Sequence, residues 1–203
     1  VYQAGTSEMF GNSIDTDGFQ RETTPFKPAN PYAVAKVYAH NMCVNYRNAY
    51  KLFISNGILF NHESPRRGEE FVTMKVVREA VKISLGLETK LPLGNLSSSR
   101  DWGHAKDYVK AMWMILQHDE PGDFICSTGV THTIEELCEY VFTSLGLKWQ
   151  DYVEIDPRFS RPEETRHLKG DPSKLKETLN WESDYTFEEL IDDMINHHKN
   201  IYK

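Results

Sequence analysis

Cysteine is scarce in this chain, with three in 203 residues, and an odd number leaves no complete pairing. Cys43, Cys126 and Cys138 lie in apolar surroundings without close spacing. They read as reduced packing thiols of a cytosolic protein, not as a disulfide framework. Clustered positive charge is missing too. The formal net charge is -7 and no Lys/Arg run is longer than Arg66-Arg67, which excludes a nucleic-acid or anionic-membrane surface, because phosphate backbones need grouped cations. No apolar run approaches the length of a membrane span. The opening Val1-Tyr2-Gln3-Ala4 has neither an initiator Met nor the charged and apolar regions of a secretion signal, and reads as a start inside a strand. Repeats and low-complexity segments are also lacking. What remains is a soluble, cytoplasmic, globular chain whose 39% hydrophobic content fills the core of one large domain, or one and a half.

The elements that are present alternate. Val1 to Thr6 reads as a short buried strand, followed by a polar loop to Pro31 and a helix from Pro31 to about Tyr50. Leu52 to Phe60 has the length and bounding signals of a parallel-sheet strand, with polar residues beyond its carboxyl end, where open α/β sheets bind ligands. A helix over Phe71 to Leu85, an extended piece at Leu91 to Gly94 and a helix with the stripe Ala105, Tyr108, Val109, Met112, Trp113, Leu116 come next, the stripe reading as core. A strand at Asp123 to Ser127 and a helix from Ile134 to Leu145 precede a strand at Val153 to Ile155, a helix near Pro172 to Leu179 and a terminal helix buried through Phe187, Leu190, Ile191, Met194 and Ile195. The alternation predicts an α/β fold.

Within this frame, Tyr32 and Lys36 stand one helical turn apart. With ten Tyr in the chain, such a spacing arises by chance and is weak alone. Its setting strengthens it: Asn30 is suited to cap the helix and Pro31 to occupy the first helical position, so Tyr32 and Lys36 share a face. A phenol acts as a base near neutrality only where a neighbouring ammonium stabilises its anion, and Lys36 is placed to do so. Upstream, Thr6-Ser7-Glu8 adds a hydroxyl anchor and a carboxylate, which two-residue strand spacing would put on the same side. His104, His132 and His197-His198 have no further donors at ligand spacing, so no metal is expected.

Thr6-Ser7-Glu8, Pro31-Tyr32-x-x-x-Lys36, the segment Gly57 to Gly68 containing Asn61-His62-Glu63-Ser64-Pro65-Arg66-Arg67, Leu93-Gly94-Asn95-Leu96 and Arg100 to Tyr108 together resemble the GDP-mannose 4,6-dehydratases. These are extended short-chain dehydrogenase/reductase enzymes acting on nucleotide sugars. The resemblance runs nearly end to end. It implies the carboxyl-terminal part of a Rossmann-like parallel sheet with helices on both faces, plus a smaller mixed α/β substrate-binding domain. Residues 1–60 with parts of 95–130 would belong to the NADP-binding domain, and 61–95 with 130–203 mainly to the GDP-mannose domain. Relatives open with a Gly-rich dinucleotide turn, and no Gly triad of that spacing occurs here, so the amino-terminal cofactor-binding half is expected to be missing.

The resemblance also implies roles. Conversion of GDP-mannose to its 4-keto-6-deoxy product, on the route to GDP-fucose, would use Thr6, Glu8, Tyr32 and Lys36 as catalytic residues. Tyr32, Lys36, His62 and Arg67 would contact NADP. Ser7, Asn61, Lys75, Arg100, Arg161 and Glu164 would bind the nucleotide sugar. A homodimer or homotetramer is implied, with the Arg66-Arg67 loop near a subunit interface. Two alternatives stay open: another nucleotide-sugar dehydratase or epimerase of the same family, and a non-catalytic piece that binds GDP-sugars without turnover.

Overall fold

The computed structural model describes residues 1–159 and 167–202. Its main elements run β1 (Tyr2–Thr6), α1 (Pro31–Tyr50), β2 (Ser55–Leu59), α2 (Val72–Ser84), β3 (Leu91–Leu93), α3 (Ala105–Gln117), β4 (Asp123–Cys126), α4 (Ile134–Ser144), β5 (Val153–Ile155), α5 (Ser173–Leu179) and α6 (Phe187–Ile201). Two units emerge. The first comprises Val1–His62, Arg100–Thr131 and Thr165–Asp184, and the second Glu63–Ser99, His132–Glu164 and Tyr185–Lys203.

The first unit is built on a parallel sheet in the order β1-β2-β4, with Ala4 opposite Gly57 and Ile58 opposite Ile125. All five residues of the central strand β2 are buried. Successive side chains alternate between faces. Leu59, Phe124 and Cys126 pack with Tyr108, Ala111 and Ile115 of α3 and with Leu175 and Trp181. Ile58, Phe60 and Ile125 pack with Met9, Phe10 and, from α1, Val37. Helices therefore cover both faces of a parallel sheet, the arrangement in which strands read as continuous apolar runs. Gly57 is required by one close approach, since a Cβ there would run into the ring of Tyr2. Burial, together with the neighbouring Cys126, pushes that phenol's ionisation far above its ordinary range.

Two sequence expectations change, for β1 and for α3. Of the five residues of β1 only Gly5 is buried, because β1 is the end strand of the described sheet. On α1 only Ala33 and His40 are buried, and Val34 and Tyr38 are exposed. The predicted core stripe of α3 is split: Tyr108 faces the core, whereas Val109 and Trp113 are 61% and 63% exposed. Apolar residues surround most of that helix, and periodicity alone cannot select which side meets the sheet.

In the second unit, α2 packs against α4 and α6. β3 and β5 pair in parallel, Leu91 opposite Val153. Helices α4 and α6 each begin with a capping box, Thr133 with Glu136 and Thr186 with Glu189, which satisfies backbone donors at both starts. The predicted buried face of α6 is present through Leu190, Ile191, Met194 and Ile195, whereas Phe187, expected on the same face, is half-buried.

Candidate active site

Thr6 is the last residue of β1 and also the cap of a single 3-10 turn, Ser7–Phe10, its Oγ1 accepting the Glu8 N–H at 3.3 Å. Gly11 closes the turn with φ 57°, a left-handed conformation that favours glycine, and its N–H donates to the Glu8 carbonyl at 3.1 Å. Glu8 thus lies on a turn, not on a strand. The expected same-face relation of Thr6 and Glu8 is replaced by a direct cap, which places both at the carboxyl end of β1. Ser7, expected to meet substrate, is buried at 2% exposure.

Helix α1 starts beside this turn. Asn30 caps it, Oδ1 accepting the Ala33 N–H at 2.8 Å, and Pro31 takes the first helical position. The other end of the same amide donates from Nδ2 to Glu8 Oε2, also at 2.8 Å. Sequence reasoning found the cap and missed this second bond, which joins residues twenty-two apart. One turn into the helix, Tyr32 is 54% exposed, and the Lys36 Nζ lies 5.6 Å from the centre of its ring. Lys36 is oriented by donating to the Ala4 carbonyl of β1 at 3.0 Å. Glu8 is thereby tied to Thr6 and to Asn30 at the start of α1, and Lys36 of the same helix to Ala4 of β1.

The far end of α1 is fastened to the sheet. Arg47 donates to both carboxylate oxygens of Asp123 at 2.9 and 3.2 Å and to the Ile54 carbonyl, while Asn56 adds a 2.8 Å bond to Asp123. Burial works against ionisation of Asp123, but Arg47 and Asn56 outweigh it and hold the carboxyl below its ordinary range. Beyond β2, His62 donates from Nδ1 to the Phe60 carbonyl at 2.9 Å and stacks on Tyr108 with ring centres 4.9 Å apart. A carbonyl only accepts, so this bond places a proton on Nδ1. Asn61 and Arg100 are half-buried in the first unit. Next to Arg100, the buried Asp101 accepts from the Thr128 N–H and hydroxyl and from the Gly129 N–H at 2.7 to 2.9 Å.

Two other expected contacts lie in the second unit. Arg67 pairs with the buried Glu63 at 3.0 Å, and its guanidinium sits 3.5 Å from the centre of the Phe71 ring. Burial raises the Glu63 carboxyl against the opposing pull of Arg67 and of Thr73. Lys75 donates to the Pro92 carbonyl at 2.6 Å and covers the Phe159 ring at 3.7 Å, and desolvation lowers its ammonium below the ordinary lysine range. Arg161 and Glu164 lie outside the described residues. Among the described residues no group of three or more His, Cys, Asp and Glu could hold a metal ion. No described helix is long and apolar enough to cross a membrane.

A family model described as GDP-mannose 4,6 dehydratase matches residues 1–194. The chain belongs to this family. GDP-mannose 4,6 dehydratase 2 of Arabidopsis thaliana is 56% identical over 194 residues, which is 96% of this chain and 51% of the relative. The chain accordingly spans about half the length of the curated relatives it matches. Among solved structures, RMD from Pseudomonas aeruginosa complexed with NADPH superposes with a TM-score of 0.89 at 21% identity, over 98% of this chain and 66% of the other. A dTDP-glucose 4,6-dehydratase from Bacillus anthracis in complex with NAD gives 0.86 at 25% identity, over 98% and 61%. The fold is the Rossmann-like α/β fold that the resemblance implied.

Proposed function

We propose that this chain carries the acid–base machinery of a GDP-mannose 4,6-dehydratase. One observation carries the reading: the Asn30 amide at the start of α1, the helix that bears Tyr32 and Lys36, is bonded to the Glu8 carboxylate on the turn that Thr6 caps. The donor set also fits a nicotinamide dinucleotide. Lys36 uses one ammonium hydrogen on Ala4, leaving two for ribose hydroxyls, with Tyr32 exposed beside it. When bound, such a cofactor supplies a reversible two-electron acceptor that takes hydride from C4 of the mannosyl ring and returns it to C6.

The residues of the chain do the rest. Tyr32, as a phenolate stabilised by Lys36, takes the C4 hydroxyl proton as that carbon is oxidised, and Thr6 holds the C4 oxygen by a hydrogen bond. The new ketone acidifies the neighbouring C5 proton, which Glu8 removes. Glu8 then returns this proton to the departing C6 hydroxyl, so that water leaves and a C5–C6 double bond forms. Reduction at C6, with C5 taking the proton that Tyr32 holds, restores the phenolate and completes a 4-keto-6-deoxy sugar with no net redox change. Lys75, Arg100 and Arg161 provide cations for the GDP diphosphate, with Glu164 for a ribose hydroxyl and Asn61 for phosphate or sugar. His62 and Arg67 contact the cofactor, for which NADP is favoured by the NADPH complex of one structural neighbour, although another was solved with NAD. Assembly as a homodimer or homotetramer, with Arg66-Arg67 near a subunit interface, and a cytoplasmic setting complete the reading.

The test is to incubate the whole protein with NADP and GDP-mannose beside UDP- and dTDP-sugars. Loss of one water from GDP-mannose alone supports the proposal. Turnover of a different sugar nucleotide assigns another member of the superfamily. Binding of GDP-mannose without any product reduces the chain to a sugar-nucleotide binder.

A further inference from the structure

The Asn30 side chain does more than a helix cap requires. Ser, Thr, Asp and Asn all cap helices well by offering an oxygen to the first-turn N–H groups. Only Asn among them also has N–H bonds to give. Here the oxygen end takes the Ala33 N–H at 2.8 Å, and the nitrogen end donates to Glu8 Oε2 at 2.8 Å. Because the amide group is planar, fixing its oxygen at the helix start also fixes the direction in which its nitrogen points. Glu8 is held from a second side by its own backbone N–H on Thr6 Oγ1 at 3.3 Å. A single rigid group therefore links the helix that presents Tyr32 and Lys36 to the carboxylate on the neighbouring turn.

We propose that Asn30 is a positioning residue for Glu8, holding Oε2 so that Oε1 is the atom that meets the C5 proton, in register with the oxygen handled by Tyr32. This rests on the reading of Glu8 as the C5 base. The step it serves is elimination, not oxidation at C4, and the two can be read separately.

Asn30→Asp retains a capping oxygen and has no hydrogen to donate, and Asn30→Ser retains a capping oxygen but lacks the planar amide whose N–H reaches Glu8. In the whole protein each should keep its melting temperature and reduce added nicotinamide on mixing with GDP-mannose at a rate within about threefold of the parent. Each should slow water loss by roughly 10- to 100-fold, the scale of a small misplacement of a reacting group, so that reduced cofactor accumulates. A readout independent of turnover is the Asn30 side-chain amide resonance in the ligand-free protein, which should move in Glu8→Gln. The proposal is overturned if that resonance stays in place, if the Asn30 variants lose water at the parental rate, or if oxidation and elimination slow together, as a purely structural helix defect would make them. Normal product from Glu8→Gln would instead remove Glu8 as the base, and is distinguishable because it does not depend on Asn30.

Discussion

Tyr32→Phe deletes one hydroxyl from a half-exposed ring and leaves the cap, the helix and Lys36 in place. Substrate affinity should change little, while kcat falls by about 10²- to 10⁴-fold, the usual contribution of a positioned proton-transfer group; steady-state kinetics on GDP-mannose checks this. A titration prediction follows from Asp101. Burial pushes its carboxyl from 3.8 up to about 6, against the opposing donors Thr128, Gly129 and Gly170. Its folded form binds the proton more tightly than the unfolded form. Its contribution to stability is thus greatest at low pH, declines as pH rises from 3.8 to about 6, and is level above that. The carboxyl carbon of Asp101 followed by NMR should titrate near 6, and a midpoint at the ordinary aspartate value would contradict this. Tyr32, Lys36 and the Asn30 cap were legible in the sequence because they are local, separated by single helical turns. The bond from Asn30 to Glu8 and the donors around Asp101 were not, because each joins segments more than twenty residues apart and leaves no periodic trace.

At the scale of elements, α1 is the part of the fold that sets the site. Its first turn is tied to Glu8 through Asn30, its middle to β1 through Lys36, and its last turns through Arg47 to Asp123 of β4 and to the Ile54 carbonyl just before β2. The packing of β1 on β2 has a narrow tolerance. Gly57→Ala drives a methyl group into the Tyr2 ring, and should lower stability by about 1–3 kcal/mol, as overpacking does. Adding Tyr2→Val should recover part of the loss, since the two sites are in contact and couple. Urea denaturation of the single and double variants measures both effects. Strand and helix existence was readable from apolar runs and spacing, but the exposed side of α3 was not. Val109 and Trp113 are as apolar as Tyr108, and only the placement of the sheet decides which of them is covered. The 3-10 turn at Ser7–Phe10 was equally hidden, since four residues carry no period.

For the whole molecule, each of the two units is assembled from three separate segments, and Thr165–Asp184 returns to the first. Trp181, fully buried, anchors that return by donating from its indole to the Asp107 carbonyl at 3.0 Å. No composition shift announces it, which is why the segment was grouped in sequence with its neighbours. The family, in contrast, was legible, because the motifs from Gly57 to Gly68 and around Tyr32 are carried by contiguous residues. The central claim is that Glu8 takes a proton from C5 of a mannosyl ring whose C4 is handled by Tyr32 and Lys36. The direct test is turnover of GDP-mannose by the whole protein in deuterium oxide, with product examined by NMR. The account predicts a 4-keto-6-deoxy product carrying deuterium at C5 from the parent, and no product from Glu8→Gln. A product without deuterium at C5, or undiminished product from the variant, would contradict it.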